Sequence, residues 1–390
     1  MPLLTPAFLA LALSELAYFT AFGLLIPVVP LYAVDVLGAD PAGAGLAVGI
    51  FSITALVLRP VSGRLADVRG RRPLLIAGGL LFAVVSVAHL AATTLVILIV
   101  LRAVLGIAEA LFFVAAGAAL TDLAPPERLG EAVSYISLSL YLGITVGPAL
   151  GELALRIGGY PTAWLVAAGL ALVATLLAVR VPETADLSAA PVSGGLVERS
   201  VLAPGLAFFT GLAGSAAFLA LAALQARNIG MTGAALVVGA YGIVVIGCRI
   251  LFAKHADRMP PFRLAALALA LCAVGLAVAG GVPNPLGFVT GSAVLGIGVA
   301  FLTPAFFRAA MSRVAPARRG AAVGTLTMFI DASLGAGPIL LGMIASSAGI
   351  PAALLTASAV AALGAGATAV GAGSKPPGSA RAGDSSQSRR

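Results

Sequence analysis

Apolar runs of about twenty residues follow one another along nearly the whole chain, each closed by a short break rich in Gly, Pro or charge. A spanning helix needs about 20 such residues. The runs fall near 6–32, 42–62, 73–92, 95–120, 132–155 and 161–180, then near 201–224, 234–253, 263–281, 286–311, 321–346 and 350–371. The expected fold is an all-α polytopic membrane protein with twelve transmembrane helices in two six-helix pseudo-symmetric halves. Charge is correspondingly scarce: 10% of residues are Asp, Glu, Lys or Arg, against about 25% in a soluble domain.

The formal charge of +8 invites a nucleic-acid reading. The basic residues, however, sit mostly in inter-helix breaks, where they orient a membrane protein, so no nucleic-acid partner is expected. With the N-terminus inside, seventeen Lys and Arg fall in the cytoplasm and only Arg156 and Arg227 outside. The expected location is the plasma membrane, crossed many times, with both termini cytoplasmic. Glu15 interrupts the first run and no basic segment precedes it, so that run reads as a retained helix rather than a signal peptide. Cys248, Cys272, His89 and His255 lack metal-ligand spacing, so neither a metal nor a cofactor is expected.

The chain repeats itself. Ala103-Val-Leu-Gly-Ile107 recurs as Ala293-Val-Leu-Gly-Ile297, an offset of 190. At the same offset Ala66-Asp67 matches Ala256-Asp257, Arg64 matches Lys254, Gly130 matches Gly320, and Gly147-Pro148 matches Gly337-Pro338. Six helices return the chain to its starting side, so the halves are parallel repeats about an axis along the membrane normal. The domain reading is an N-terminal half at 1–180, a cytoplasmic linker at 181–200, a C-terminal half at 201–371, and a disordered cytoplasmic tail at 372–390. Such an internal pseudo-dimer needs no second chain, so a monomer is expected.

Four stretches carry more than apolarity. Gly63-Arg-Leu-Ala-Asp67-Val-Arg-Gly70-Arg71-Arg72 packs four arginines into a short break between two spans. Leu101-Arg102-Ala-Val-Leu-Gly106 holds an arginine inside a span, and Gly143-Ile-Thr-Val-Gly147-Pro148-Ala-Leu-Gly151-Glu152 spaces glycines every four residues. Gly23-Leu-Leu-Ile-Pro27-Val-Val-Pro30-Leu-Tyr32 closes the first run. Together they resemble the major facilitator superfamily, and within it the twelve-helix drug:proton antiporter branch, over nearly the whole chain. Leu105 and Glu152 depart from that pattern. The resemblance implies that the first stretch, through Gly63, Asp67, Gly70, Arg71 and Arg72, latches the halves together on the cytoplasmic side in the outward-facing state. The plain alternative is a solvated, orienting loop whose glycines permit a tight turn. For Gly143, Gly147, Pro148 and Gly151, spacing alone gives a small-residue face for close helix packing. The resemblance adds a bendable, leak-proof contact between the halves.

Charges inside spans are the other candidates. A charge at a helix centre costs about 2.5–3.5 kcal/mol, so it faces a cavity or a partner. Glu15 and Asp331 lie near the midplane of their runs, and are read as proton- or cation-recognising carboxylates. Arg102 is read as tuning a neighbour, the alternative being a buried ion pair with Glu15. Glu109 lies two turns beyond Arg102, roughly 10 Å away, and is read with these proton-coupling charges, the alternative being a place in the substrate cavity; Glu152 reads as solvated near the outer surface. Tyr18, Phe19 and Phe22 share a helix face with Glu15, either lining an amphipathic cavity or packed against neighbouring helices.

The expected function is secondary active transport by alternating access: protons moving inward drive a small amphipathic compound, drug or metabolite, outward. The partners are that small molecule, protons and the lipid bilayer. An uptake carrier or facilitator for a sugar, organic acid or other metabolite is the alternative. No Gly-x-x-x-x-Gly-Lys-Ser/Thr signature is present, so direct ATP use is not expected, and no span carries a catalytic constellation.

Overall fold

The computed structural model describes residues 3–371 apart from 126–127, 186–197, 257, 313 and 315–318. Asp257, most of the linker and the tail therefore lie outside the described residues. Regular structure among the described residues is helical throughout. The first four helices are α1 (Pro6–Asp35), α2 (Pro41–Arg69), α3 (Arg71–Ala88) and α4 (Leu95–Leu123). Their starts are written locally: Thr5, Asp40 and Thr94 accept from Phe8, Gly43 and Ile97 N–H, with Pro6 and Pro41 at the first helical position. A side-chain acceptor on an orphan N–H followed by Pro is a strong helix start.

The next helical stretch, Leu129–Ala178, has 50 residues, about 75 Å at 1.5 Å per residue and far more than a bilayer needs. Gly158 and Gly159 break it, Gly159 adopting φ 67, ψ −161, with Pro161 following. Contacts with α1 show that the chain reverses there. Gly143 lies against Phe19 and Thr20, Gly151 against Leu24 and Val28, and Tyr160 and Trp164 against Tyr32. Farther on, Ala174 O accepts from Ser14, back at the start of α1. The stretch is a helical hairpin with almost no loop, and its arms, 129–157 and 160–178, are α5 and α6. The expected twelve spans are thus present: among the described residues eleven stretches are long and apolar enough to cross a membrane, and the hairpin, counted there once, supplies two spans.

The second set is α7 (Leu202–Asn228), α8 (Ala235–Ala256), α9 (Pro261–Gly281), α10 (Pro285–Met311), α11 (Arg319–Ala348) and α12 (Ile350–Gly371). The 190-residue offset persists in three dimensions. Arg102 Nε donates to Ala47 O, and Ser292 Oγ, at the equivalent position, donates to Val237 O. Gly106 packs on Phe51 O as Gly296 packs on Tyr241 O, and Gly147 packs on Gly23 as Gly337 packs on Ala213. Contacts between the two sets run mainly along α2 with α11, α5 with α8, and α1 with α7.

The stretch 63–72 is not a ten-residue turn. Helix α2 continues through Arg69, α3 begins at Arg71, and Gly70 alone, at φ 99, makes the break. A Cβ on Gly63 would meet open space.

Candidate functional site

One end of the helix bundle is closed by contacts that cross between the sets. Arg227 of α7 donates to both carboxylate oxygens of Asp35 at 2.7 Å, and Tyr160 donates to Asp35 at 2.8 Å. Ser346 of α11 donates to Asp40, the residue that caps α2. The two helices touch backbone to backbone beneath it, Gly45 against Pro338 O and Gly49 against Gly335 O. Glu152, expected to be solvated, is buried here against Gly233, just before α8. Its carboxylate closes the end of α5 on the start of α8.

The basic end, which carries 63–72, is different. A cavity of about 620 Å³ lies between α5, α8 and α10. It runs from Tyr141 and Arg249 in the interior to Glu131 and Arg308 at the helix ends, along Phe301 and Leu138.

Between these two ends lie the intramembrane charges. Asp331 of α11 is 3% exposed and holds Arg59 of α2, with Arg59 Nη2 donating at 2.7 Å and Nε on the second oxygen. This pair crosses between the two sets. Arg59 also lies over the Phe113 ring, 4.6 Å from its centroid. Glu109 is buried, faces the field of both Arg59 and Asp331, and has an Oε2 without a hydrogen-bond partner. Glu15, 2% exposed, has an Oε2 in the same condition, and Glu109 is the charge it feels. Arg102 makes no ion pair with Glu15 among the described residues. It donates to Ala47 O at 3.1 Å and lies over Phe51, 4.8 Å from the ring centroid.

The aromatic face of α1 packs against rings of α2 and α4. Tyr18 is fully buried and stacks on Phe112 at 4.0 Å, Phe19 meets Phe113 edge-on at 6.0 Å, and Phe22 stacks on Phe51 at 5.1 Å. Desolvated rings give two arginines a cation–π surface, which is how guanidinium charge is held here with few carboxylates.

The glycine stripe of α5 faces α1. A Cβ on Gly143 would lie 2.7 Å from the Phe19 carbonyl carbon, and one on Gly147 would lie 2.5 Å from Leu24 N. This packing is inside the first set, not between the sets as the resemblance implied. The crossing contact of α5 lies on an adjoining face, Thr145 against Gly242 and Tyr141 against Arg249. Gly151 packs on Leu24 O, and Pro148 sits within the stripe.

At the basic end, Asp67 is half exposed and pairs with Arg71 at 3.2 Å, and Arg71 also meets Asp122 of α4 at 3.2 Å. Glu183 accepts from the Arg71 and Arg72 backbone N–H groups at 2.8 and 3.2 Å, capping α3. Asp67, Arg71, Arg72 and Asp122 all belong to the first set, and Glu183 lies just beyond the end of α6. Burial pushes the Glu183 carboxyl up, but N–H donors of Ala185, Arg71, Arg72 and Thr184 outweigh it and hold the group below its usual range.

Sequence reasoning missed Arg59, Arg249, Glu183 and the Asp35–Arg227 pair. For the first two a signal existed: Arg59 and Arg249 are 190 residues apart, as are Tyr141 and Asp331. Arg249 Nη2 donates to Tyr141 at 2.7 Å, so the two crossing pairs are images of each other under the repeat.

Comparison with known proteins gives a consistent picture. A sequence model described as Major Facilitator Superfamily matches residues 11–338 and again 205–389. The chain is 28% identical to the uncharacterized MFS-type transporter YhhS of Escherichia coli O157:H7 over 366 residues, covering 91% of this chain and 90% of that one. It is 30% identical over 360 residues to an uncharacterized MFS-type transporter of Burkholderia pseudomallei, covering 89% and 87%. Among solved structures, the human organic anion transporter MFSD10 aligns with a TM-score of 0.72 at 18% identity, over 94% of this chain and all of that one. A peptide transporter, POT, aligns at 0.80 and 14% over 93% and 94%. Likeness at such identities concerns the fold.

Proposed function

The chain belongs to the major facilitator superfamily of membrane transporters, and on that footing we propose that it is a proton-coupled secondary exporter of small amphipathic compounds, working by alternating access. The observation that carries this reading is the buried carboxylate group. Glu15 and Glu109 each present an oxygen with no partner, beside an Arg59–Asp331 pair that ties α2 to α11. A carboxylate in an apolar interior takes a proton readily. Protonating Asp331 removes the charge that holds Arg59, so proton occupancy and the contact between the halves are linked. Glu15, Glu109 and Asp331 are the proton-handling groups, and Arg102, held on Ala47 O and over the Phe51 ring, is a fourth intramembrane charge.

The halves, 1–180 and 201–371, rock about the interface, with 181–200 as their cytoplasmic connection. The basic end faces the cytoplasm, as the arginine distribution favours, and the protein sits in the plasma membrane as a monomer. The state described is then closed outside and open inside. Asp67, Arg71 and Arg72 serve the opposite state, in which the basic ends of the halves meet. Each charge moved across 100 mV supplies about 2.3 kcal/mol, enough to drive accumulation.

The test uses sealed inside-out vesicles with an imposed pH gradient and fluorescent amphipathic dyes of either charge. Wild type couples dye movement to the gradient; Glu15→Gln, Glu109→Gln and Asp331→Asn uncouple it. Dye movement indifferent to the gradient in wild type rejects antiport and favours a facilitator, and unaltered coupling in all three variants rejects the assignment of these carboxylates.

A further inference from the structure

The two crossing pairs related by the repeat are not chemically alike. Arg59 meets Asp331, a carboxylate, while Arg249 meets Tyr141, a neutral phenol. One guanidinium is neutralised by the protein and its image is not. Arg249 lies seven residues before the end of α8, about 10 Å inside the basic end at 1.5 Å per residue. Its carbon sits 4.0 Å from the Tyr141 ring centroid, and its Nε is buried without a hydrogen-bond partner. Among the described residues no carboxylate lies within ion-pair distance of it.

Arg249 and Tyr141 form the inner wall of the cavity between α5, α8 and α10, whose roughly 620 Å³ falls within the range of small-molecule sites, about 300–1,000 Å³. The rest of the lining is largely apolar: Leu138, Ile246, Ala300, Phe301 and Pro304. Two other charged residues reach it. Arg308, which donates to Met259 O, stands at the mouth, and Glu131, the one carboxylate among the described lining residues, is held by Arg128 through two bonds of 2.8 Å. The charge offered to an occupant is therefore that of Arg249.

We propose that this cavity binds an amphipathic anion, its charged head paired with Arg249 and its apolar body against α10, so that the ligand supplies the countercharge that Asp331 supplies at the equivalent place. Tyr141 accepts from Arg249 and keeps its own O–H to donate to the same head group. The inference deepens the transport reading by naming the charge of the cargo. An anionic lipid head entering from the bilayer shares this chemistry with a soluble anion.

Binding to the purified full-length chain is measured by equilibrium dialysis in phosphatidylcholine nanodiscs. The probes are radiolabelled 1-naphthoate and 1-naphthylmethylammonium, which share a ring system and differ in charge. Naphthoate binds in preference. Arg249→Gln weakens it roughly tenfold or more, as expected for loss of a charged hydrogen bond, and Arg249→Lys keeps most of it. Tyr141→Asp places the repeat-equivalent carboxylate against Arg249 and weakens naphthoate as Arg249→Gln does, with an unchanged elution profile. Equal binding of the two probes, or full naphthoate binding by Arg249→Gln, overturns the proposal. Competition by added phosphatidylglycerol supports a lipid head as the natural occupant. Undiminished binding, with naphthoate movement in sealed vesicles, supports a soluble cargo. Because no gradient is applied, loss of coupled efflux and loss of anion binding are read separately.

Discussion

Asp331 keeps a carboxylate in the interior because Arg59 reaches it from the facing helix with two nitrogens. Removing one member of such a buried pair leaves the other unsatisfied, and typically costs about 3–5 kcal/mol. Arg59→Gln and Asp331→Asn alone should each lower the thermal transition markedly, and the double variant should recover most of the loss. A double variant as unstable as the sum of the singles would mean that the two groups act apart. Glu15, Arg102, Glu109 and Asp331 were legible in the sequence because a charge in an apolar run stands out. Their partners were not, since Arg59 and Asp331 are 272 residues apart and nothing local joins them. The burial of Glu152 was illegible for the same reason: its lid, Gly233, belongs to the other half.

Helix-scale features divide along the same line. Caps at Thr5, Asp40 and Asn284 are local and mark the starts of α1, α2 and α10. The four-residue glycine spacing showed that a face of α5 is bare, while which helix fills it is a matter of packing, and the answer is α1. Gly147→Leu should force α1 and α5 apart, because even a Cβ would approach Leu24 N to 2.5 Å; overpacking costs of about 1–3 kcal/mol or more should appear as a lowered melting temperature. Glu183 gives a gentler case. Its Gln variant should lose about 1 kcal/mol, the usual worth of a cap, measured as a shift in the thermal transition of the basic end. Since the carboxyl is held below its usual range, its contribution is complete above about pH 4.3, the free Glu value. It is lost as pH falls through the lowered folded value, so wild type and Glu183→Gln should converge in acid. Convergence on the alkaline side instead would refute the cap.

For the whole molecule, closure at one end and a cavity toward the other are, under the proposed alternating access, a single stage of a cycle. Asp40 and Ser346 touch across the closed end through short side chains. With Cys248 and Cys272 replaced by Ala, Asp40→Cys with Ser346→Cys should cross-link under mild oxidant, stop transport and release it on reduction. Full transport by the cross-linked form would mean that this end need not open. The twelve spans, their pairing into repeats and the basic end were all written in run lengths, the 190-residue offset and arginine placement. The hairpin at Gly158–Gly159 was foreseen as two spans, though not as a reversal so tight that the helix barely stops.

The unlike pair of repeat-related contacts has a genetic consequence. Codons for Tyr and Asp differ by a single base, so the phenol at Tyr141 and the acid at Asp331 are neighbours in mutational space. Where an exported organic acid is worth more kept inside the cell, selection for its retention should repeatedly yield the Tyr141→Asp change. Duplication followed by divergence at that one codon is then the cheapest route by which such a protein exchanges one class of cargo for another.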